Sequence, residues 1–503
     1  MLRRPVILVL LGAVAATGEY AQTFTSLFSF AGSNGENPDA ALVQGTNGNL
    51  YGATRWGGTE SAYPYGGTIF EITPGGTLTT LYNFCGNGCA HGVNPSLLLL
   101  TPGGNFFGLT ESGGTTNCNE EGGCGTAFTM GPSGKLTTLS SFCKMGDTNC
   151  GFVPNSLVQA ADGNLYGTTL WGGANCPTVG CGTVFKLTLS GTLTTIHSFC
   201  SQLSPVGGCL DGAYPYGLIE GADGNFYGTT ELGGTGTWPN GFGGGTVFKI
   251  TPSGVLTLLH SFCTNEDQGR CPDGSYPEGG LIQATDGFLY GTTTGESGPG
   301  TIFRMTPGGT FTTLYSFCQK SQCADGAYPY AGLIQATDGN LYGVTAEGGI
   351  NNAGTVFQFT PSGKLTTLYS FCSQPNCADG SNPYVALVQA TNGDFYGTTE
   401  DGGNDICNDF DTGTCGTLFS VSVGLGPFVK LVPSAGKVGS AVTILGTDLT
   451  GASSVTVDGL PAAFTIVSAT EITATIPSGA AKGYVTVVTP GGTLSSNVPF
   501  QIL

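Results

Sequence analysis

Apolar and polar positions alternate along most of the chain in short runs, and turn residues punctuate them up to about Val423. Between Ser156 and Phe199 the runs are SLVQA, LYGTT, GTVFKLT and LTTIHSF. A period of two sends successive side chains to opposite faces, so each run predicts a strand. Asp162-Gly163 separates the first two, and Pro-Ser-Gly or Pro-Gly-Gly separates the last two in most copies, which predicts tight antiparallel hairpins. Four consecutive antiparallel strands make one blade of a β-propeller.

The pattern repeats. The glycine of the LYGTT phrase falls at Gly52, Gly108, Gly167, Gly228, Gly291, Gly343 and Gly397, and the GTVF phrase begins at Gly67, Gly125, Gly182, Gly245, Gly300, Gly354 and Gly416. The fourth strand is offset by one: its copies start near Thr25, Thr79, Thr137, Thr194, Thr257, Thr312 and Thr366, and none follows Phe419. In an open array, Phe24 to Phe30 would be an unpaired edge. In a closed ring it completes the last blade. The expectation is therefore an all-β chain whose seven-bladed β-propeller is closed by the N-terminal strand, with Phe24 to Phe30 beside Gly416 to Val423.

Composition adds placement. Arg3 and Arg4, the apolar stretch Pro5 to Ala16 and small residues near Ala21 read as a secretory signal over residues 1–21, and no later run is long and apolar enough to span a membrane. The propeller is expected over residues 22–424. With 33 acidic against 14 basic residues, a net charge of -19 repels a phosphate backbone and argues against a nucleic-acid partner.

The repeated phrases, together with the run DGxxPxxxLIQAxDGNLYGTT, resemble the Gloeobacter and Verrucomicrobia (GloVer) tandem repeat of bacterial surface and secreted proteins, over about residues 24 to 423. The resemblance implies an extracytoplasmic, propeller-like array and no particular catalytic residues. After Gly424-Leu425-Gly426-Pro427, seven short strands are expected over residues 427–503. The phrases GSAVTILGTDL, ATIPSGAAKGYVTVVTPGG and SNVPFQI are similar to the IPT/TIG domain, which implies an immunoglobulin-like β-sandwich used as a spacer or adhesive module.

All 18 cysteines lie in the repeat region as near neighbours: Cys85 and Cys89, Cys118 and Cys124, Cys143 and Cys150, Cys176 and Cys181, Cys200 and Cys209, Cys263 and Cys271, Cys318 and Cys323, Cys372 and Cys377, Cys407 and Cys415. In an oxidising compartment these predict nine local disulfides; a zinc site would need tighter spacing and more histidine than His91, His197 and His260 offer. Six pairs fall in the crossings between blades and three between second and third strands. Both kinds of connection emerge on one face of the ring.

That face is the candidate binding surface. It is expected to carry Trp56, Trp171 and Trp238, the tyrosines Tyr214, Tyr216, Tyr328 and Tyr330 of the AYPY phrases, and acids including Glu111, Glu231, Glu347 and Glu400. Aromatic planes beside carboxylates suit sugar rings, and packing between blades is the alternative role for the same aromatics. The partner expected is an extracellular glycan or a surface protein. A carbohydrate-active hydrolase or lyase and a purely structural envelope component stand beside that reading, because no nucleophile, base or carboxylate-pair signature is legible. No cofactor motif is present. Calcium has one candidate place, Asp405, Asp409 and Asp411 around the Cys407 loop, without the EF-hand spacing. Asp211, Asp273, Asp325 and Asp379 of the DGxxP phrases are expected to make Asx turns, with a ring of calcium ligands as the alternative.

Overall fold

The computed structural model describes residues 22–59, 66–85, 89–114, 124–143, 150–175, 181–204, 208–236, 243–264, 271–295, 298–404, 407 and 414–503. Residues 1–21, expected from the sequence to be a secretory signal, lie outside them.

Each repeat forms one four-stranded antiparallel sheet. Blade 3 is representative: Gly151–Gln159, Leu165–Gly172, Thr183–Leu187 and Leu193–Ser198 pair in sequence order. There are seven such sheets, and in the seventh the outer strand is Thr23–Ser29, paired antiparallel with Thr417–Ser422. Every blade also carries a bulge between its third and fourth strands, and Thr23–Ser29 carries the corresponding one between Ser26 and Phe28. The N-terminal strand is thus a fourth strand in register as well as in position.

The repeat phrases encode the packing. The second and third strands are almost wholly buried, as expected for a sheet layered between two others, while the fourth is half-exposed. In all seven blades a Cβ added to the LYGTT glycine would lie 2.1–2.7 Å from the ring of the same blade's GTVF phenylalanine. Glycine there makes room for a phenylalanine whose full burial contributes roughly 2–3 kcal/mol. Beside it, a threonine of each phrase meets the other hydroxyl to hydroxyl at 2.8–3.0 Å, from Thr54 and Thr68 in blade 1 to Thr399 and Thr417 in blade 7.

Neighbouring blades are joined by a GxxP phrase, which aspartate precedes in blades 4 to 7. The residue before its proline adopts a left-handed backbone in every blade, φ 51–57° at Asn37, Asn94, Val153, Tyr214, Tyr276, Tyr328 and Asn382. That turn aims its N–H at a carbonyl of the preceding blade, 2.8–3.3 Å away, and presses the proline against the preceding blade's GTVF glycine. The seventh joint, Asn37 N–H to Cys415 O with Pro38 against Gly416, closes the ring.

The C-terminal residues form two further four-stranded sheets around a separate core of Val429, Leu431, Val442, Ile444, Val487 and Phe500 among others, the sandwich expected of an immunoglobulin-like domain. It docks on the face of the ring that carries the tight hairpin turns. Thr470 Oγ1 donates to Thr46 O at 2.7 Å, Phe428 N–H donates to Thr391 O at 3.0 Å, and Val432 and Leu445 pack with Leu98, Leu100 and Phe106.

Candidate functional site at the mouth of the ring

The disulfide-bearing face is left open, and two repeat positions converge on its centre. One is the residue after the GxxP proline, where the chain turns into the innermost strand: Asp39, Ser96, Asn155, Tyr216, Glu278, Tyr330 and Tyr384. The other directly follows the LYGTT phrase: Arg55, Glu111, Leu170, Glu231, Thr294, Ala346 and Glu400. The first strands of blades 1 to 5 touch in succession, and Tyr330 of blade 6 meets Tyr384 of blade 7, so these residues share one axial mouth.

Arg55 is the organising cation. Its guanidinium lies 3.0 Å from Glu111 of the next blade and 3.6 Å from Asp39 of its own. Burial disfavours its charge, but Glu111, Asp39 and Glu400 together hold it protonated. For Glu111 and Asp39 burial outweighs the attraction of Arg55 and pushes both carboxyls upward. Across the mouth, burial beside Glu231 pushes Glu278 up to about 7, and Thr294 Oγ1 donates to Glu278 at 3.2 Å. Burial also raises Tyr216 and Tyr384, and nearby carboxylates add to it: Glu231, Glu278 and Glu111 for Tyr216, Glu400 for Tyr384. Tyr330 and Tyr384 lie ring to ring at 5.1 Å. The mouth therefore combines buried acids, partly protonated near neutral pH, with phenolic donors and one fixed guanidinium.

Of the sequence-predicted residues, Tyr216, Tyr330 and Glu400 fall in this ring, as do Glu111 and Glu231. Tyr214 and Tyr328 occupy the left-handed joint position just outside it and remain half-buried. Trp56 and Trp171 hold the same repeat position in blades 1 and 3. Trp56 is half-buried with the Arg55 guanidinium 5.7 Å from its ring, and Trp171 is 40% exposed, edge-on to Phe152 at 5.7 Å. Trp238 and the calcium candidates Asp405, Asp409 and Asp411 lie outside the described residues. Arg55, Asp39, Glu278 and Tyr384 were not singled out by sequence; aligning the copies on the proline and on the LYGTT threonine would have found all four.

Seven disulfides are described: Cys85–Cys89, Cys143–Cys150, Cys200–Cys209, Cys263–Cys271, Cys318–Cys323, Cys372–Cys377 and Cys407–Cys415. Cys124 and Cys181 are also disulfide-bonded, and their expected partners Cys118 and Cys176 lie outside the described residues.

The DGxxP aspartates differ from the expected Asx turns. Asp325 and Asp379 reach backward, accepting N–H bonds from Gln319 and Lys320 or from Ser373 and Gln374, and a hydroxyl from Tyr315 or Tyr369 at 2.6 Å. His197 and His260 replace the tyrosine in blades 3 and 4, 3.5 Å from Asp211 and 3.0 Å from Asp273. These carboxylates tie the start of the crossing to its end. The histidines belong to the same tie.

The Gloeobacter/Verrucomicrobia repeat profile matches residues 12–204, 114–298 and 243–452, most of the chain. The chain belongs to that family. The IPT/TIG domain matches residues 428–502. No curated protein matches. Among solved structures, the chain is similar to the extracellular domain of a candidate hybrid two-component system from B. thetaiotaomicron, at 11% identity and TM-score 0.47 over 92% of this chain and 52% of that one. It is similar also to the extracellular domain of a candidate one-component system from B. thetaiotaomicron, at 12% identity and TM-score 0.47 over 96% and 58%. A candidate 6-phosphogluconolactonase from Bacteroides fragilis matches at 17% identity and TM-score 0.40 over 66% and 83%. The chain thus spans about half the length of the first of these. The disulfides fit an extracytoplasmic protein, and among the described residues no helix is long and apolar enough to cross a membrane.

Proposed function

We propose that this chain is a secreted or surface-held propeller that binds a glycan across the mouth of its disulfide-bearing face. The observation that carries the reading is the convergence there of Tyr216, Tyr330, Tyr384, Glu231, Glu400 and Arg55, a few residues from the exposed indole of Trp171. An indole face offers CH contacts to a sugar ring, and phenols, carboxylates and a guanidinium supply donors and acceptors for its hydroxyls. The docked C-terminal domain occupies the opposite face, which supports the open face as the working one. Binding to an immobilised glycan array tests the reading. Signal on particular glycans that falls at least about tenfold in Trp171→Ala supports it, on the scale of one lost aromatic contact; an array without signal, or one indifferent to Trp171, removes it.

A hydrolase or lyase at the same place draws on one observation: Glu278 holds a proton near neutral pH beside Glu231, the kind of unequal carboxyl pair that acid–base cleavage uses. Release of reducing ends that stops in Glu278→Gln would favour this second reading.

A further inference from the structure

On the docked face the ring has a second system of joints, and it is broken at two consecutive places. The last residue of each innermost strand is glutamine in most blades, and its side-chain oxygen accepts the N–H of a turn residue in the preceding blade. Gln44, Gln283, Gln335 and Gln389 do so at 2.8–3.1 Å, and Glu220 does the same from Ala161 at 2.9 Å. In blade 2 the position is Leu100, which has nothing to offer. In blade 3 it is Gln159, but the residue that should donate to it is Pro102, which lacks an N–H. Among the described residues the Gln159 side chain makes no hydrogen bond.

The break coincides with a cavity of about 570 Å3 between the ring and the C-terminal domain, lined by Leu100, Pro102, Gln159, Glu220 and Lys430 among others. Lys430 lies on the first strand of the C-terminal domain, Lys430–Val432, whose alternation sends Leu431 into that domain's own core and leaves Lys430 and Val432 on the ring side. Its ammonium makes no ion pair or hydrogen bond among the described residues, and burial alone pushes it below the usual lysine range. A desolvated cation without a counter-ion favours whatever anion can enter beside it.

We propose that this inter-domain cavity is a binding site for a small hydroxylated carboxylate, the carboxylate seated on Lys430 and a hydroxyl on the Gln159 amide released by Pro102. The site is separate from the axial mouth and independent of what binds there. It also gives the docked domain a function beyond spacing, since the ligand would touch both domains.

Titration calorimetry of the full chain with glucuronate, and with glucose as its neutral counterpart, tests this. Glucuronate should bind at least about tenfold more tightly than glucose, the scale of one charged hydrogen bond. That preference should vanish in Lys430→Met, weaken in Gln159→Leu and persist in Trp171→Ala. As a readout independent of folding of the variants, the side-chain carbon resonances of Lys430 in the wild-type chain should titrate at higher pH when glucuronate is present. Equal binding of the two sugars, no binding of glucuronate at millimolar concentration, a preference surviving in Lys430→Met, or a Lys430 titration unmoved by glucuronate would each overturn the proposal.

Discussion

Glu278 carries its proton at a pH where an exposed glutamate would have lost it, because the mouth of the ring withholds water and places Glu231 nearby. A carboxyl whose folded pKa is raised contributes stability in full below its unfolded pKa, near 4.5, and loses it as pH rises through about 7. At about 1.4 kcal/mol per unit the loss is on the order of 3 kcal/mol. Asp162 and Asp223, held down to about 2 by hydrogen bonds from Asn164 and Lys249 respectively against the opposing effect of burial, act only at more acidic pH, and solvent screens them. Glu278→Gln should therefore melt close to wild type at pH 4.5 and above it at pH 8; parallel melting profiles across that range would refute the assignment. The sequence made half of this mouth visible. Tyr216, Tyr330 and Glu400 stood out by residue type in loops, whereas Arg55, Asp39 and Glu278 differ from their counterparts in other blades and gain meaning only from the axis they share.

At the scale of the element, four of the crossings between blades, those that carry Asp211, Asp273, Asp325 and Asp379, are secured twice, by a disulfide and by the DGxxP carboxylate. A disulfide closing a loop as short as Cys372 to Cys377 contributes about 2 kcal/mol on the chain-entropy account. Asp379 is fully buried and takes three part-buried hydrogen bonds, from Tyr369, Ser373 and Gln374, and losing bonds to a charged group costs about 1 kcal/mol or more each. The carboxylate is the stronger tie. In urea unfolding, Asp379→Ala should lose more stability than the double change Cys372→Ser and Cys377→Ser; the reverse order would mean that the crossing is held chiefly by its covalent link. The cysteine map was readable because the pairs are close in sequence. The carboxylate tie was read as a local turn, since an aspartate followed by glycine looks the same whether it bonds forward to its own turn or backward to the end of the preceding strand.

At the scale of the molecule, the ring depends on a pairing between its two extremes. Thr23–Ser29 binds Thr417–Ser422, the ring of Phe24 stacks on Tyr369 of blade 6 at 3.6 Å, and Pro38 of blade 1 meets Gly416 of blade 7. This much was legible in the sequence, because a fourth strand counted one place early has no partner in an open array. The docking of the C-terminal domain was not, since its contacts at Thr46, Thr391 and Leu445 fall where repeat periodicity carries no signal. Without the N-terminal strand, Thr417–Ser422 becomes a bare edge, and Phe371 and Phe419 lose the aromatic cover that Phe24 gives them. Exposed edges of that kind invite pairing between molecules. Deleting residues 22–30 should therefore make the chain self-associate, eluting earlier than the full-length protein on size-exclusion chromatography. A synthetic peptide of the same residues added during refolding should restore the full-length elution, because the groove left in blade 7 keeps its register through Thr417 and Val421. A truncated chain that elutes and melts with the full-length protein would show that the joint between Pro38 and Gly416 closes the ring unaided.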